Sequence, residues 1–105
     1  MLSDYDDFVE STWIESPNDK EELARLALGL AGESGEVAEL IKKHLRGDGL
    51  LDQERVLSEL GDVLYYITVF SHRMGHTLGD VQVLNQRKLE SRSNRGVIKG
   101  SGNER

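Results

Sequence analysis

The sequence predicts an all-α fold, a four-helix bundle-like domain completed by oligomerisation. Three observations predict it. Four segments carry apolar residues at helical spacing, capping or breaking residues bracket them, and no segment reads as a strand. The chain has 105 residues. At that size roughly two-thirds of the surface exposed by the unfolded chain is buried, so one core is thin and a second copy would thicken it.

The first helix is expected from about Ser3 to Glu15, with Ser3 and Asp6 in capping-box spacing and Tyr5, Phe8, Val9, Thr12 and Trp13 on one side. Ser16-Pro17 ends it, because the residue before a proline avoids the helical region. The second opens at Asp19, with Glu22 three residues on, and reaches Leu45 before Gly47. Its stripe reads Leu23, Leu26, Leu30, Glu33, Val37, Leu40, His44, which puts a carboxylate at Glu33 where an apolar residue is expected. Gly29, Gly32 and Gly35 recur inside this helix, each costing about 1 kcal/mol relative to alanine. Close approach of a neighbouring helix is the favoured reason. A phosphate cradle is not, since Glu33 and Glu36 stand where the anion would sit.

The stretch from Gly47 to Asp52 is a loop, and Asp52 caps a third helix whose core positions are Val56, Leu60, Val63, Ile67, Phe70 and Met74. Gly75 stops it. The fourth helix runs from about Gly79 to Ser93. Residues 1–95 are therefore expected to form one domain, and residues 96–105 a Gly-rich basic tail too polar to pack as a helix.

The net charge of −6 argues against a duplex nucleic-acid partner. The absence of long apolar runs and of a signal-peptide pattern argues against a membrane partner. With no cysteine, disulfides and thiolate sites are excluded, and a cytoplasmic location fits. Past residue 85 the charge turns basic, with Arg87, Lys88, Arg92, Arg95, Lys99 and Arg105 against Glu90 and Glu104. An acidic body with a basic end suits a ligand that carries both metal and phosphate.

The carboxylates are more specific. Glu33 and Glu36 on the second helix, and Glu59 and Asp62 on the third, are pairs three residues apart, so each pair points to one side. Folding back at the Gly47–Asp52 loop sets Glu36 level with Asp62 and Glu39 with Glu59, which brings both pairs to one height within a turn. A single such pair is more often a solvated face. Two pairs beside facing apolar stripes form a costly concentration of charge that a hard dication relieves, and oxygen-only ligands favour Mg²⁺ or Mn²⁺. A di-iron site would use Glu-x-x-His, and none of His44, His72 or His76 has a Glu three residues before it.

Other candidates carry plainer alternatives. Asn85, Lys88 and Arg92 share a face of the fourth helix that suits phosphate oxygens or is merely solvated. Trp13 is a candidate for stacking on a base, as is one of Tyr65 and Tyr66, which point in different directions, but aromatics at these spacings are more often core residues. His72 and His76 have a spacing that could bind Zn²⁺, but at a helix C-terminus a structural role is favoured.

Leu30-Ala-Gly-Glu33-Ser-Gly-Glu36-Val37 followed by Ser58-Glu59-Leu-Gly-Asp62-Val-Leu-Tyr resembles the paired motif of the MazG-like, all-α NTP pyrophosphohydrolases. The resemblance covers about residues 20–102. It extends to Asn85-x-x-Lys88-x-x-x-Arg92 and to the Gly-rich tail. It implies Mg²⁺ held by Glu33, Glu36, Glu59 and Asp62, and hydrolysis of an NTP or dNTP to a monophosphate and pyrophosphate. It also implies a homodimer or homotetramer. Many members have a further Glu directly before the first motif Glu. Here that position is Gly32, which leaves open which carboxylate is the base. The alternatives are a non-catalytic helical module for nucleotide binding, dimerisation or regulation, and a purely structural adaptor.

Overall fold

A computed structural model describes residues 4–96, as four α-helices with no strand among the described residues. They are α1 (Asp4–Thr12), α2 (Asp19–Leu45), α3 (Gln53–Arg73) and α4 (Leu78–Asn94). Ser3 and the tail beyond Gly96 lie outside the described residues. No helix is long and apolar enough to cross a membrane.

Local chemistry sets the boundaries. α2 opens at Asp19 as expected, capped by Asn18, whose Oδ1 accepts the Glu21 N–H at 2.9 Å, which leaves Glu22 for another role. Asp52 caps α3 as expected, accepting the Arg55 N–H at 3.1 Å. Thr77 and Asp80 form a reciprocal capping box that opens α4 one residue earlier than Gly79. Gly47 and Gly75 take φ of 92° and 81°, left-handed values that end α2 and α3 where a side chain would be strained.

α3 is the hub. It packs most extensively on α2, and α1 and α4 lie against it as well. Leu26 and Val69 are fully buried, Val9 of α1 is nearly so, and Trp13, Tyr65, Tyr66 and Phe70 pack around them. Two expectations need correction here. Phe8 and Tyr5 face solvent, because α1 turns Asp6, Val9 and Glu10 inward instead. Leu60 of α3 and Met74 at its C-cap are exposed, and Thr68, Val69 and Ser71 are the buried residues, since α3 meets neighbours on several sides rather than along one stripe.

The three glycines of α2 divide. A Cβ on Gly29 would lie 2.2 Å from a Tyr66 ring carbon, whereas Gly32 and Gly35 have open space. Tyr65 and Tyr66 do not diverge: their rings meet edge-on at 5.6 Å, and Trp13 lies 6.2 Å from the first and 6.0 Å from the second. Tyr66 thus has little room to retreat. Gly29→Ala is expected to cost about 1–3 kcal/mol by overpacking. Gly32→Ala, with nothing to meet, should gain about 0.5–1 kcal/mol from helix propensity. Urea denaturation of both variants checks the pair, and stabilisation by both would contradict the close approach.

Candidate functional site

The Gly29–Tyr66 contact fixes how α2 and α3 line up. Glu33 lies one turn after Gly29 and Asp62 one turn before Tyr66, so the helical repeat carries both to the same side of the gap. Glu33 thereby meets Asp62 across the gap. Carboxylate oxygens of Glu33, Glu59 and Asp62 lie within 4.8 Å of one another. Glu33 and Glu59 are half-buried and Asp62 is exposed. Glu36 sits on the exposed rim, outside this group of three.

The electrostatics follow from the crowding. Burial pushes the Glu59 carboxyl above its ordinary value, and the charges of Asp62, Glu33 and Glu36 push it further, with Arg55 offsetting part. Glu36 thus contributes to the field without joining the inner three. Such a donor set is all oxygen and anionic, which fits a hard dication and disfavours soft metals.

Asn85, Lys88 and Arg92 line an open groove of about 710 Å³ along α4, with Leu84, Ser91 and Arg95. Arg92 is buried to 7 % exposure, so a merely solvated face does not describe it. An apolar recess of about 340 Å³ adjoins the groove, sharing Val81 and Leu84, and includes Leu30, one turn before Glu33. Trp13 is placed apart from the carboxylates, in the aromatic cluster. Its Nε1 donates to Glu22 at 3.0 Å, and the Arg25 guanidinium stands 4.3 Å from the ring centre.

Sequence reasoning missed a second charged cluster. Glu22, 7 % exposed, accepts from Arg73 Nε at 2.7 Å, from Trp13 and from the Ser16 N–H. The Arg73 bond, ahead of the burial that opposes it, holds the Glu22 carboxyl at about 2. Arg73 Nη1 also donates to Glu10 at 2.6 Å, and His72 lies between Asp6 and Glu10. His76 Nδ1 is 3.2 Å from Asp80, while both ring nitrogens of His72 are engaged by carboxylates, which supports the structural reading of His72. The missed signal was a shared helix face: Asp6 and Glu10 are four residues apart on α1, and both reach the adjacent His72 and Arg73.

Residues 21–97 match the MazG nucleotide pyrophosphohydrolase domain. The chain is also similar to the Gene 37 protein of Mycobacterium phage L5, 43 % identical over 89 residues, which covers 81 % of this chain and 78 % of that one. No solved structure matches the chain. The chain belongs to the MazG nucleotide pyrophosphohydrolase domain family, as the motif resemblance led one to expect. α1 lies outside the matched residues.

Because Glu59 is raised, the folded metal-free protein binds protons more readily there than the unfolded chain does. Apo stability should therefore rise as pH falls from neutral towards that raised value. Glu59→Gln removes the charge and keeps the shape, so it should melt at or above the apo wild type and show less of this pH dependence. Glu39→Gln on α2, outside the three, is the control. Calorimetry across that range checks this, and a Glu59→Gln melting temperature well below wild type would contradict it.

Proposed function

We propose that the chain is a divalent-cation-dependent nucleoside triphosphate pyrophosphohydrolase, converting an NTP or dNTP and water to the monophosphate and pyrophosphate. The observation that carries the reading is the convergence of Glu33, Glu59 and Asp62 in a member of this family. Glu33, Glu59 and Asp62 would hold Mg²⁺ or Mn²⁺, with Glu36 at the rim as the fourth ligand. The bound ion would neutralise charge on the triphosphate and make a water more acidic.

The chain's own groups supply the rest. One of the four carboxylates would in addition orient or deprotonate the attacking water. Asn85, Lys88 and the more buried Arg92 line the α4 groove and would bind phosphate oxygens. The adjoining apolar recess suits the less polar part of the nucleoside. Trp13 serves this reading through its packing on Tyr66 more readily than by stacking on a base, since Arg25 already stands over its ring.

Assembly belongs to the same proposal. Among the described residues three apolar side chains are buried, while Leu28, Leu57, Leu60, Leu64, Leu84 and Met74 are among those exposed. A homodimer or homotetramer would cover such surface. Light scattering should give a multiple of 11.8 kDa.

The test is product identification with a mixed pool of nucleotides. Pyrophosphate and a monophosphate should form only with Mg²⁺ or Mn²⁺, and EDTA should abolish the reaction. Glu33→Gln and Glu59→Gln should lose both activity and the thermal shift that Mg²⁺ gives the wild type. Nucleotide binding without turnover would instead favour a non-catalytic module, and orthophosphate as the product would place the cut elsewhere.

Substitutions in the groove separate binding from folding. Lys88→Ala, at an exposed position, should lower kcat/KM by about one to two decades with little change in melting temperature, given roughly 1.5–3 kcal/mol per charged hydrogen bond. Arg92→Ala should lose stability as well, because Arg92 is buried. Steady-state kinetics beside melting curves checks both, and unchanged kinetics for Lys88→Ala would remove the groove from the site.

A further inference from the structure

His72 stands in the last turn of α3 with a carboxylate oxygen against each ring nitrogen. Nε2 is 2.7 Å from Asp6 Oδ1 and Nδ1 is 2.7 Å from Glu10 Oε2. The His72 side chain is 9 % exposed and that of Asp6 3 %. A neutral imidazole has one N–H and one lone pair, so between two carboxylates it satisfies one and sets its lone pair against the other. Only the imidazolium, with two N–H groups, donates to both. The carboxylates are poor places for that proton: Asp6 Oδ1 also accepts the Leu78 N–H at 3.0 Å, and Glu10 also accepts from Arg73.

We propose that a doubly protonated His72 latches α1 onto α3 and the start of α4, and that α1 undocks when that proton is lost. α1 lies outside residues 21–97, which match the family domain, and its only buried apolar residue is Val9. Besides Val9 and the Thr12 hydroxyl, which meets that of Tyr65 at 2.9 Å, its hold rests on Asp6 and Glu10, which make its charged contacts with α3. Every element around His72 contributes charge. Asp6 and Glu10 come from α1, and Arg73 of α3 binds Glu10 and Glu22 of α2. Arg25 of α2 reaches Glu22 at 3.7 Å. His76, paired with Asp80 of α4, lines the same recess as His72 and Glu10. Without the imidazolium, Glu10 still shares Arg73 with Glu22, but either Asp6 or Glu10 faces a bare lone pair of the ring.

The direction of the effect is set by these contacts. Burial disfavours the His72 cation, but the hydrogen bonds to Asp6 and Glu10 outweigh it and raise the group above its ordinary 6.5. The latch is then complete below pH 6.5 and is lost as pH rises through the raised value. On the acid side, Glu10 and Glu22 are both held below the ordinary 4.5 and lose their contribution as pH falls from there, Glu22 down to about 2.

Trp13, the one tryptophan of the chain, follows directly on α1 and reports its docking. In the wild type its emission should shift towards that of a solvent-exposed indole in one step above pH 6.5. The midpoint should coincide with that of the His72 ring resonances in an NMR titration. His72→Gln should lack the step and give the undocked emission throughout, while His44→Gln keeps the wild-type step. His72 titrating at or below 6.5 would overturn the latch, as would a flat Trp13 signal while His72 titrates, or a step that persists in His72→Gln. The two wild-type midpoints decide the matter even where His72→Gln fails to fold.

Discussion

At Gly29 the two long helices come so close that the Tyr66 ring occupies the space a side chain would need. The rest of the molecule is arranged around that approach. It draws α2 and α3 together at one level, and the helical repeat then delivers Glu33 and Asp62 to the same gap one turn further on. On the other side it leaves the Tyr66 ring where Trp13 and Tyr65 can close over it, and through Thr12, hydrogen-bonded to the Tyr65 hydroxyl at 2.9 Å, it reaches α1. A glycine that weakens a helix by its own propensity is tolerated because what it admits is an aromatic ring in a small core.

The chain uses partly buried carboxylates in two opposite ways. Glu22 is ringed by donors, Arg73 first, and is held charged far into acid. Glu59 is ringed by other acids and is pushed the other way. The first arrangement is complete within the chain: its charge has a guanidinium, an indole N–H and a backbone N–H to meet it. The second concentrates charge without matching it, which folding alone does not favour. That contrast within one small protein is a stronger argument for an external cation than the mere presence of acids three residues apart.

Most of the helical frame was legible because its signals are local. Asp52 capping α3, the glycines at 47 and 75, and the odd placement of Glu33 in an apolar stripe all act over a few residues. What could not be read is what depends on the angle at which helices meet. The loop centre placed the two pairs at one height but did not show which carboxylates meet, and Glu33, Glu59 and Asp62 are the three that gather within 4.8 Å. The buried face of α1 was misread for a related reason. Tyr5 and Phe8 look like the apolar side, but Asp6 and Glu10 find His72 and Arg73 across the gap, and those contacts rotate the helix. Apolar periodicity does not register a stripe of charges that is satisfied by another element.

α3 also shows why its two ends differ chemically. His72 and Arg73 lie in its last turn, where the aligned peptide dipoles favour cations, so the helix itself assists the charges that hold α1. Glu59 and Asp62 begin well beyond the first turn, where the dipole gives a carboxylate no comparable help, and Arg55 offsets only part of the crowding. Moving these acids to the helix start would relieve them electrostatically but would take them away from Glu33. Their position is therefore explained by convergence with α2 and not by the stability of α3. Convergence of like charges at an electrostatically unassisted point of a helix is the feature on which the proposed cation site rests.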